Sequence, residues 1–171
     1  MTAYVALLRA VNVGGTGKLP MTELKAMCEA AGFEQVRTYI ASGNVVFASD
    51  KSEGAVRAAI EKPLEAYSGK PVGVLIRSAA EMADVLARNP FPDKPGNRTV
   101  AMFVDGPLAP DALDAARNVK EEEMRLGRGV IYIFYGDGMA DSRLIIPAAK
   151  AGTARNMNTV AKLAEMAAAL S

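Results

Sequence analysis

The stretch at residues 36–47, VRTYIASGNVVF, determines which fold the rest of the chain can form. Its β-branched and aromatic residues predict strands at 36–40 and 45–48. The run between them, Ala41-Ser42-Gly43-Asn44, predicts a tight hairpin turn, because Gly and Asn tolerate a left-handed backbone. The elements on either side must therefore fit around an antiparallel hairpin.

The elements around this hairpin complete a β-α-β-β-α-β pattern. A short apolar run at 4–9 predicts a first strand, and apolar residues at helical spacing predict a helix at 21–31. After the hairpin, Ser52 is a candidate N-cap for a helix that Pro63 should kink or break. A fourth strand is expected at 72–77. This order of elements is the ferredoxin-like split βαβ motif.

The same order recurs in the second half of the chain. Its predicted strands lie at 99–104, 123–126, 130–135 and 153–155, and its predicted helices at 110–119 and 142–149. We therefore predict an α+β fold of two tandem ferredoxin-like units with an extra connecting helix and a C-terminal helix. Residues 1–77 would form the first unit, 78–97 the connecting helix and linker, and 98–171 the second unit with the C-terminal helix.

Composition restricts the classes of function. The 171 residues carry a net charge of +1, and half of them are apolar, which indicates a globular chain without overall attraction to nucleic acid or membrane. Histidine is absent and cysteine occurs once, which excludes Ser-His-Asp and Cys-His catalysts, histidine- or thiolate-held metals and an internal disulfide. Cys28 falls on the apolar face of the helix at 21–31 and should be a buried structural thiol.

Targeting signals and cofactor motifs are also missing from the pattern. No apolar run approaches the roughly 20 residues that span a bilayer. The first residues have the pattern of a strand and lack the basic region of a signal peptide. We expect a cytoplasmic protein with no metal, no cofactor and no membrane partner.

The glycine-rich loop at 13–18, VGGTGK, is a candidate anion site because it lies between a predicted strand and a predicted helix. It is not a P-loop, since Asn12 and Leu19 stand where that motif needs Gly and Ser or Thr. Its alternative role is that of a tight loop whose glycines need positive φ.

Topology predicts where this loop should lie. The first two strands should run parallel, because a helix joins them, so the loop at 10–19 and the hairpin at 41–44 should meet at one end of the sheet. The loop at 68–71 should join them there. The polar side chains brought together would be Arg9, Asn12, Lys18, Ser42 and Asn44.

A second group of polar residues, GTARNMNT at 152–159, precedes the last predicted helix. Asn156 or Asn158 can serve as its N-cap. Arg155 either pairs with a carboxylate of the protein or binds a carboxylate or phosphate of a ligand. The segment 142–164 also lacks acidic residues and forms a local basic patch of Arg143, Lys150, Arg155 and Lys162.

Residues 6–15 (ALLRAVNVGG), 36–47 and 152–159 together resemble the bacterial family called domain of unknown function 1697, and the resemblance covers essentially the whole chain. It implies two ferredoxin-like units and no established activity. Two positions depart from the usual pattern of that family. Met157 stands where members usually have Trp, which bears on any role that needs a stacked ring there, and Arg143 stands where they usually have Lys.

The sequence favours a binding module for a small anionic or phosphorylated ligand. Its candidate ligand-binding residues are Arg9, Asn12, Gly14, Gly15, Ser42, Asn44, Arg155 and Asn156. One alternative is an enzyme without histidine or metal that uses Lys18, Tyr39 or a carboxylate of the same cleft. The sequence does not distinguish a binding protein from an enzyme, and it identifies neither the ligand nor the oligomeric state.

The other alternative is RNA binding through the second sheet, a disfavoured partner class for a neutral chain. RNA recognition on this fold needs aromatic side chains displayed on the central strands. The candidates are Phe103, Tyr132 and Phe134, and their alternative role is core packing beneath helices. The acidic run Glu121-Glu122-Glu123 is expected to be solvated, and no carboxylate pair has the spacing of an acid–base couple.

Overall fold

The computed structural model describes residues 1–9, 19–40 and 43–170. The expectations for residues 10–18 and 41–42 therefore lie outside the described part of the chain. The chain divides into two compact units, of which Met1–Met82 with Leu163–Ser171 form the first and Ala83–Lys162 the second.

The first sheet has its earliest strand in the centre. Its elements in chain order are β1 (Thr2–Leu8), α1 (Met21–Ala30), β2 (Glu34–Thr38), β3 (Asn44–Ser49), α2 (Glu53–Ser68) and β4 (Val74–Ser78). The strand order is β2-β3-β1-β4, and β1 pairs antiparallel with both β3 and β4. Because β2 is also antiparallel to β3, β1 and β2 run parallel, as expected for strands joined by a helix.

The second sheet repeats this order of strands. After α3 (Ala79–Ala87) come β5 (Thr99–Phe103), β6 (Glu123–Leu126), β7 (Val130–Phe134) and β8 (Thr153–Asn156), and then α4 (Met157–Ala168). Their order is β6-β7-β5-β8, so β5 is central, as β1 is in the first sheet. The described residues thus form a mixed α+β fold with two four-stranded antiparallel sheets and four α-helices. None of these helices is long and apolar enough to cross a membrane.

Of the kink or break expected at Pro63, the break does not occur, because α2 continues through this residue as one helix. The Ser52 hydroxyl accepts a hydrogen bond from the Ala55 N–H at 3.3 Å, which confirms Ser52 as the N-cap. At the other end, Gly69 adopts a φ of 77° and its N–H donates to the Glu65 carbonyl. Three fully buried side chains, Val56, Ile60 and Leu64, lie on both sides of the proline and hold the two halves of the helix against the sheet.

The prediction of α-helices at 110–119 and 142–149 is wrong. Short 3₁₀ helices at Ala112–Ala115 and Pro147–Ala149 occupy parts of these regions, and a third, at Gly136–Asp141, precedes the second region. Arg117 and Ile145 form an isolated antiparallel bridge, in which each N–H donates to the other carbonyl, at 2.8 and 3.0 Å. Asn118 has a φ of 60°, which a right-handed helix does not allow. Backbone groups that a helix would pair locally are therefore paired between distant segments.

Phe47 is the centre of the first core. Its fully buried ring is stacked on Phe33 at 4.3 Å between centroids, and the Tyr4 ring lies 5.9 Å away. Cys28 belongs to the same core and is 1% exposed, as its place on the apolar face of α1 predicts. In the second unit, the buried Tyr132 hydroxyl donates to the Val85 carbonyl at 2.6 Å, which ties α3 to the central part of the sheet.

The stretch FPDKPGN at 91–97 is folded onto the second unit rather than extended as an open linker. Phe91 is 7% exposed, and its ring lies 6.1 Å from that of Phe134. The Gly96 carbonyl accepts a hydrogen bond from the Met157 N–H at 3.1 Å, at the start of α4. These contacts make the stretch part of the packed structure.

Gly152, which precedes β8, is a position where the backbone leaves no room for a side chain. A Cβ there would lie 2.5 Å from the carbonyl oxygen of Phe103 and 3.3 Å from that of Ala149. Because both atoms are backbone atoms, we expect Gly152→Ala to lower the free energy of unfolding by about 1–3 kcal/mol, as measured by urea denaturation.

Gly54→Ala is the matched control. A Cβ at Gly54 in α2 meets nothing within 4 Å, so alanine should raise stability by about 0.5–1 kcal/mol through helix propensity. Equal effects of the two substitutions would contradict the close approach at Gly152.

Candidate functional site

Three connections meet at one end of the first sheet. The Leu8 N–H at the end of β1 donates to the Gly43 carbonyl at 2.8 Å, at the end of the hairpin turn. The Arg9 N–H donates to the Gly73 carbonyl at 2.9 Å, just before β4 begins. The exit of β1, the hairpin and the entry to β4 therefore share one place, which we call the β1 end.

Arg9 presents its side chain at the β1 end. The residue is exposed, and its Cβ and Cδ lie 3.5 and 3.6 Å from the position that a Cβ on Gly73 would occupy. Gly73 thus leaves space for the aliphatic stem of Arg9 along the sheet end. Gly73 is not among the predicted site residues, because the predicted strand already begins at residue 72.

Asn44 lies beneath the surface of the β1 end. It is fully buried, and its side-chain Nδ2 donates to the Tyr39 carbonyl at 2.9 Å, while the Tyr39 N–H donates to the Asn44 carbonyl at 3.1 Å. These bonds brace the hairpin. Asn44 is therefore a positioning residue in this arrangement.

Five of the predicted site residues or their neighbours cannot be placed from the structure. They are Asn12, Gly14, Gly15, Lys18 and Ser42, which lie outside the described residues. The structure does place residues that border them: Arg9 precedes the segment 10–18, and Gly43 follows the segment 41–42.

Arg155 and Asn156 belong to the second unit, on β8. Arg155 is 6% exposed, and its Nη1 donates to the Thr153 hydroxyl at 2.7 Å and to the Ala154 carbonyl at 2.9 Å. Burial lowers the pKa of its guanidinium to about 10, which leaves it cationic at neutral pH. The Asn156 Oδ1 accepts from the Thr159 N–H at 2.9 Å, which confirms Asn156 as the N-cap of α4.

Met157, the position where the resembling family usually has Trp, is 4% exposed. Its side chain is therefore part of the packed interior rather than a surface for stacking a ligand ring.

The aromatic residues of the second sheet do not form a display for RNA bases. Phe103 and Tyr132 are 0% and 2% exposed, so both side chains pack in the core and are not displayed on the surface. Phe134 is half-buried, with the Phe91 ring on one side and the Lys94 Nζ 5.1 Å from its centroid. The surface on which the RNA hypothesis depended is absent from the described part of this sheet.

The acidic run at 121–123 is only partly solvated, contrary to expectation. Glu121 and Glu123 are exposed, but Glu122 is 9% exposed. Its Oε2 accepts from the Ser142 hydroxyl at 2.5 Å and its Oε1 from the Lys120 N–H at 2.7 Å. These bonds hold the pKa of the Glu122 carboxyl below its ordinary value. No sequence signal marks this carboxylate, because its hydroxyl partner lies 20 residues away.

The titratable groups of the described residues form neither a metal site nor an activated thiol. Among the residues that the structure describes, no cluster of three or more Cys, Asp or Glu side chains is arranged to hold a metal ion. Burial, with a smaller contribution from Glu29, raises the pKa of the Cys28 thiol to about 12.

Comparison with known proteins identifies the family. A family model described as "Protein of unknown function (DUF1697)" matches residues 1–132. The chain belongs to this family. The solved structure of the conserved bacterial protein SP0830 from Streptococcus pneumoniae is similar to this DUF1697 chain, with a TM-score of 0.79 over 97% of this chain and 98% of the other. The two are 24% identical, so this likeness concerns the fold alone. No curated protein matches the chain.

In this DUF1697 protein, we expect the Cys28 thiol to resist iodoacetamide in the native state at about pH 8, near the ordinary pKa of a thiol. Burial keeps the thiol protonated and inaccessible. Mass spectrometry should show labelling of this single cysteine only after denaturant is added. Rapid labelling of the native protein would show that α1 opens or that the thiol is accessible.

Glu122 should make the stability of the protein sensitive to acid. A carboxyl whose folded-state pKa is depressed stabilises the folded state above its unfolded-state pKa, near 4.5, and this contribution is lost as the pH falls through the folded-state value. Glu122→Gln should therefore cost about 1 kcal/mol at neutral pH and flatten the loss of stability below pH 4.5.

Glu121→Gln is the control, because Glu121 is an exposed neighbour of the same charge. Urea denaturation of both variants across pH measures the difference. If the stability of Glu122→Gln and of Glu121→Gln depends on pH in the same way, the effect comes from net charge and not from the hydrogen bonds of Glu122.

Proposed function

We propose that this protein is a binding module for a small anionic or phosphorylated ligand, built on two tandem ferredoxin-like units. The order of each sheet, with the first strand between the third and fourth, supports the ferredoxin-like interpretation. In this proposal, residues 1–77 and 98–171 are the two units, and 78–97 connects them. The single, buried, unpaired cysteine supports a cytoplasmic, reducing location.

The observation that carries the proposal is the convergence at the β1 end. An exposed arginine stands where the chain enters its glycine-rich segment, beside the hairpin that contains Ser42 and the turn that contains Gly73. A guanidinium beside backbone N–H groups of a glycine-rich loop is the chemistry that binds carboxylates and phosphates. Asn12, Gly14, Gly15 and Ser42 supply that loop chemistry in the proposal.

Arg155 is the candidate anchor in the second unit. One nitrogen of its fork is engaged by Thr153 and Ala154, which fixes the plane of the guanidinium. An arginine whose guanidinium plane is fixed in this way loses little further entropy when it binds an anion. Asn156 follows it and anchors the start of α4.

A thermal-shift screen tests the proposal with nucleotides, sugar phosphates and dicarboxylic acids as ligands. A ligand at 100 times its Kd stabilises a protein by about 2.7 kcal/mol, which this method detects. We expect at least one ligand to raise the melting temperature. Arg9→Ala should weaken its binding by about tenfold, the loss of one charge-assisted hydrogen bond.

Three further variants test whether the loss of binding is specific to the proposed anchors. Lys62→Ala removes an exposed cation from α2 and should leave the ligand-induced shift intact. Arg155→Ala should reduce the shift, and Arg155→Lys separates the role of the planar fork from that of the charge. Equal ligand stabilisation in wild type, Arg9→Ala and Arg155→Ala would refute these anchors, and no stabilisation by any class would refute the anionic ligand.

A further inference from the structure

The second unit contains a polar groove that no sequence motif indicated. Its lining residues are Asn118, Val119, Lys120, Asp141, Ser142 and Arg143, and its volume is about 690 Å³. This volume falls within the range of small-molecule sites, about 300–1,000 Å³. The groove lies between the segments 118–120 and 141–143, which overlap the end of the helix expected at 110–119 and the start of the one expected at 142–149.

Backbone bonds hold the two walls of the groove together. The bridge between Arg117 and Ile145 joins the segments with two hydrogen bonds, at 2.8 and 3.0 Å. One residue further into the groove, the Asn118 Nδ2 donates to the Arg143 carbonyl at 3.2 Å. Asn118 adopts its left-handed backbone at this point, so the wall turns sharply after the bridge.

Glu122 joins the two walls through hydrogen bonds. One carboxylate oxygen accepts from the Lys120 N–H at 2.7 Å, and the other accepts from the Ser142 hydroxyl at 2.5 Å. A single buried carboxylate thus fixes the backbone of one wall and a side chain of the other. Both of its oxygens accept hydrogen bonds from neutral donors, which stabilise the carboxylate in its charged form.

Each wall of the groove also carries one cationic side chain. Lys120 and Arg143 are exposed, and neither forms an ion pair with a carboxylate in residues 1–9, 19–40 or 43–170. Hydrogen bonds to Glu122 and Asn118 hold the backbones of Lys120 and Arg143 on opposite walls of one cavity. Such a pair of donors suits a carboxylate or phosphate group placed between the walls.

We propose that this groove binds a small ligand through a carboxylate or phosphate group held between Lys120 and Arg143. It is separate from the anchors Arg9 and Arg155 of the proposed function and does not depend on them. The exposed Asp141 carboxylate also lines the groove and opposes a bare anion. Asp141 therefore favours ligands whose anionic group has a hydrogen-bond donor or a cation beside it.

Backbone amide NMR titration of the full chain tests the groove, with inorganic phosphate and succinate as separate probes and sodium chloride at matched ionic strength as the blank. The amides of residues 118–120 and 141–143 should shift with a saturable, millimolar dissociation constant. Lys120→Ala and Arg143→Ala should each weaken binding by about tenfold. Asp141→Asn should strengthen it, because it removes a repelling charge.

Arg128→Ala is the matched control, since Arg128 is an exposed cation in the β6–β7 hairpin of the same unit. It should leave the dissociation constant unchanged. A preference for phosphate or succinate assigns the anionic group. Equal shifts with chloride, or equal losses with Arg128→Ala, would refute the proposal in favour of general charge screening.

Discussion

The hydrogen bonding of a central first strand on both sides is the constraint on which the first unit depends. β1 is antiparallel to β3 and β4, and residues Val5–Leu8 are all 0% exposed. Tyr4, Ala6 and Leu8 belong to the core beneath the helices, so a shift of one residue in register would exchange the two buried faces. Because both neighbours of β1 are antiparallel to it, the connections that lead into β3 and β4 lie beside the end of β1. The meeting of Arg9, Gly43 and Gly73 follows directly from that strand order.

Features encoded by neighbouring residues were predictable from the sequence. The Ser52 cap, the strand at Glu123–Leu126 and the Asn156 cap all depend on residues close to them in the sequence. The helices at 110–119 and 142–149 were wrong because their apolar spacing is local, whereas the bridge between Arg117 and Ile145 spans 28 residues. Local helix propensity does not decide the structure where backbone N–H and carbonyl groups of distant segments form hydrogen bonds with each other.

The candidate site divides in the same way. The convergence at the β1 end was predictable, since the strand order alone dictates which connections meet there. The division of labour within it was not, because only the structure shows that Asn44 is buried and braces Tyr39 while Arg9 is exposed. Glu122 was unpredictable for a further reason. Its burial requires Ser142 and Lys120 at once, and one of these lies on another segment.

The two units differ most in what covers their sheets, and this difference has a chemical consequence. The first unit covers its sheet with helices α1 and α2, which satisfy their own backbone groups internally. The second keeps the strand order but has 3₁₀ helices and irregular segments in the corresponding places. Irregular backbone needs partners from elsewhere, which the Arg117–Ile145 bridge and the Glu122 carboxylate provide. The irregular segments thus carry polar groups at the surface, and the groove between them has a cation on each wall.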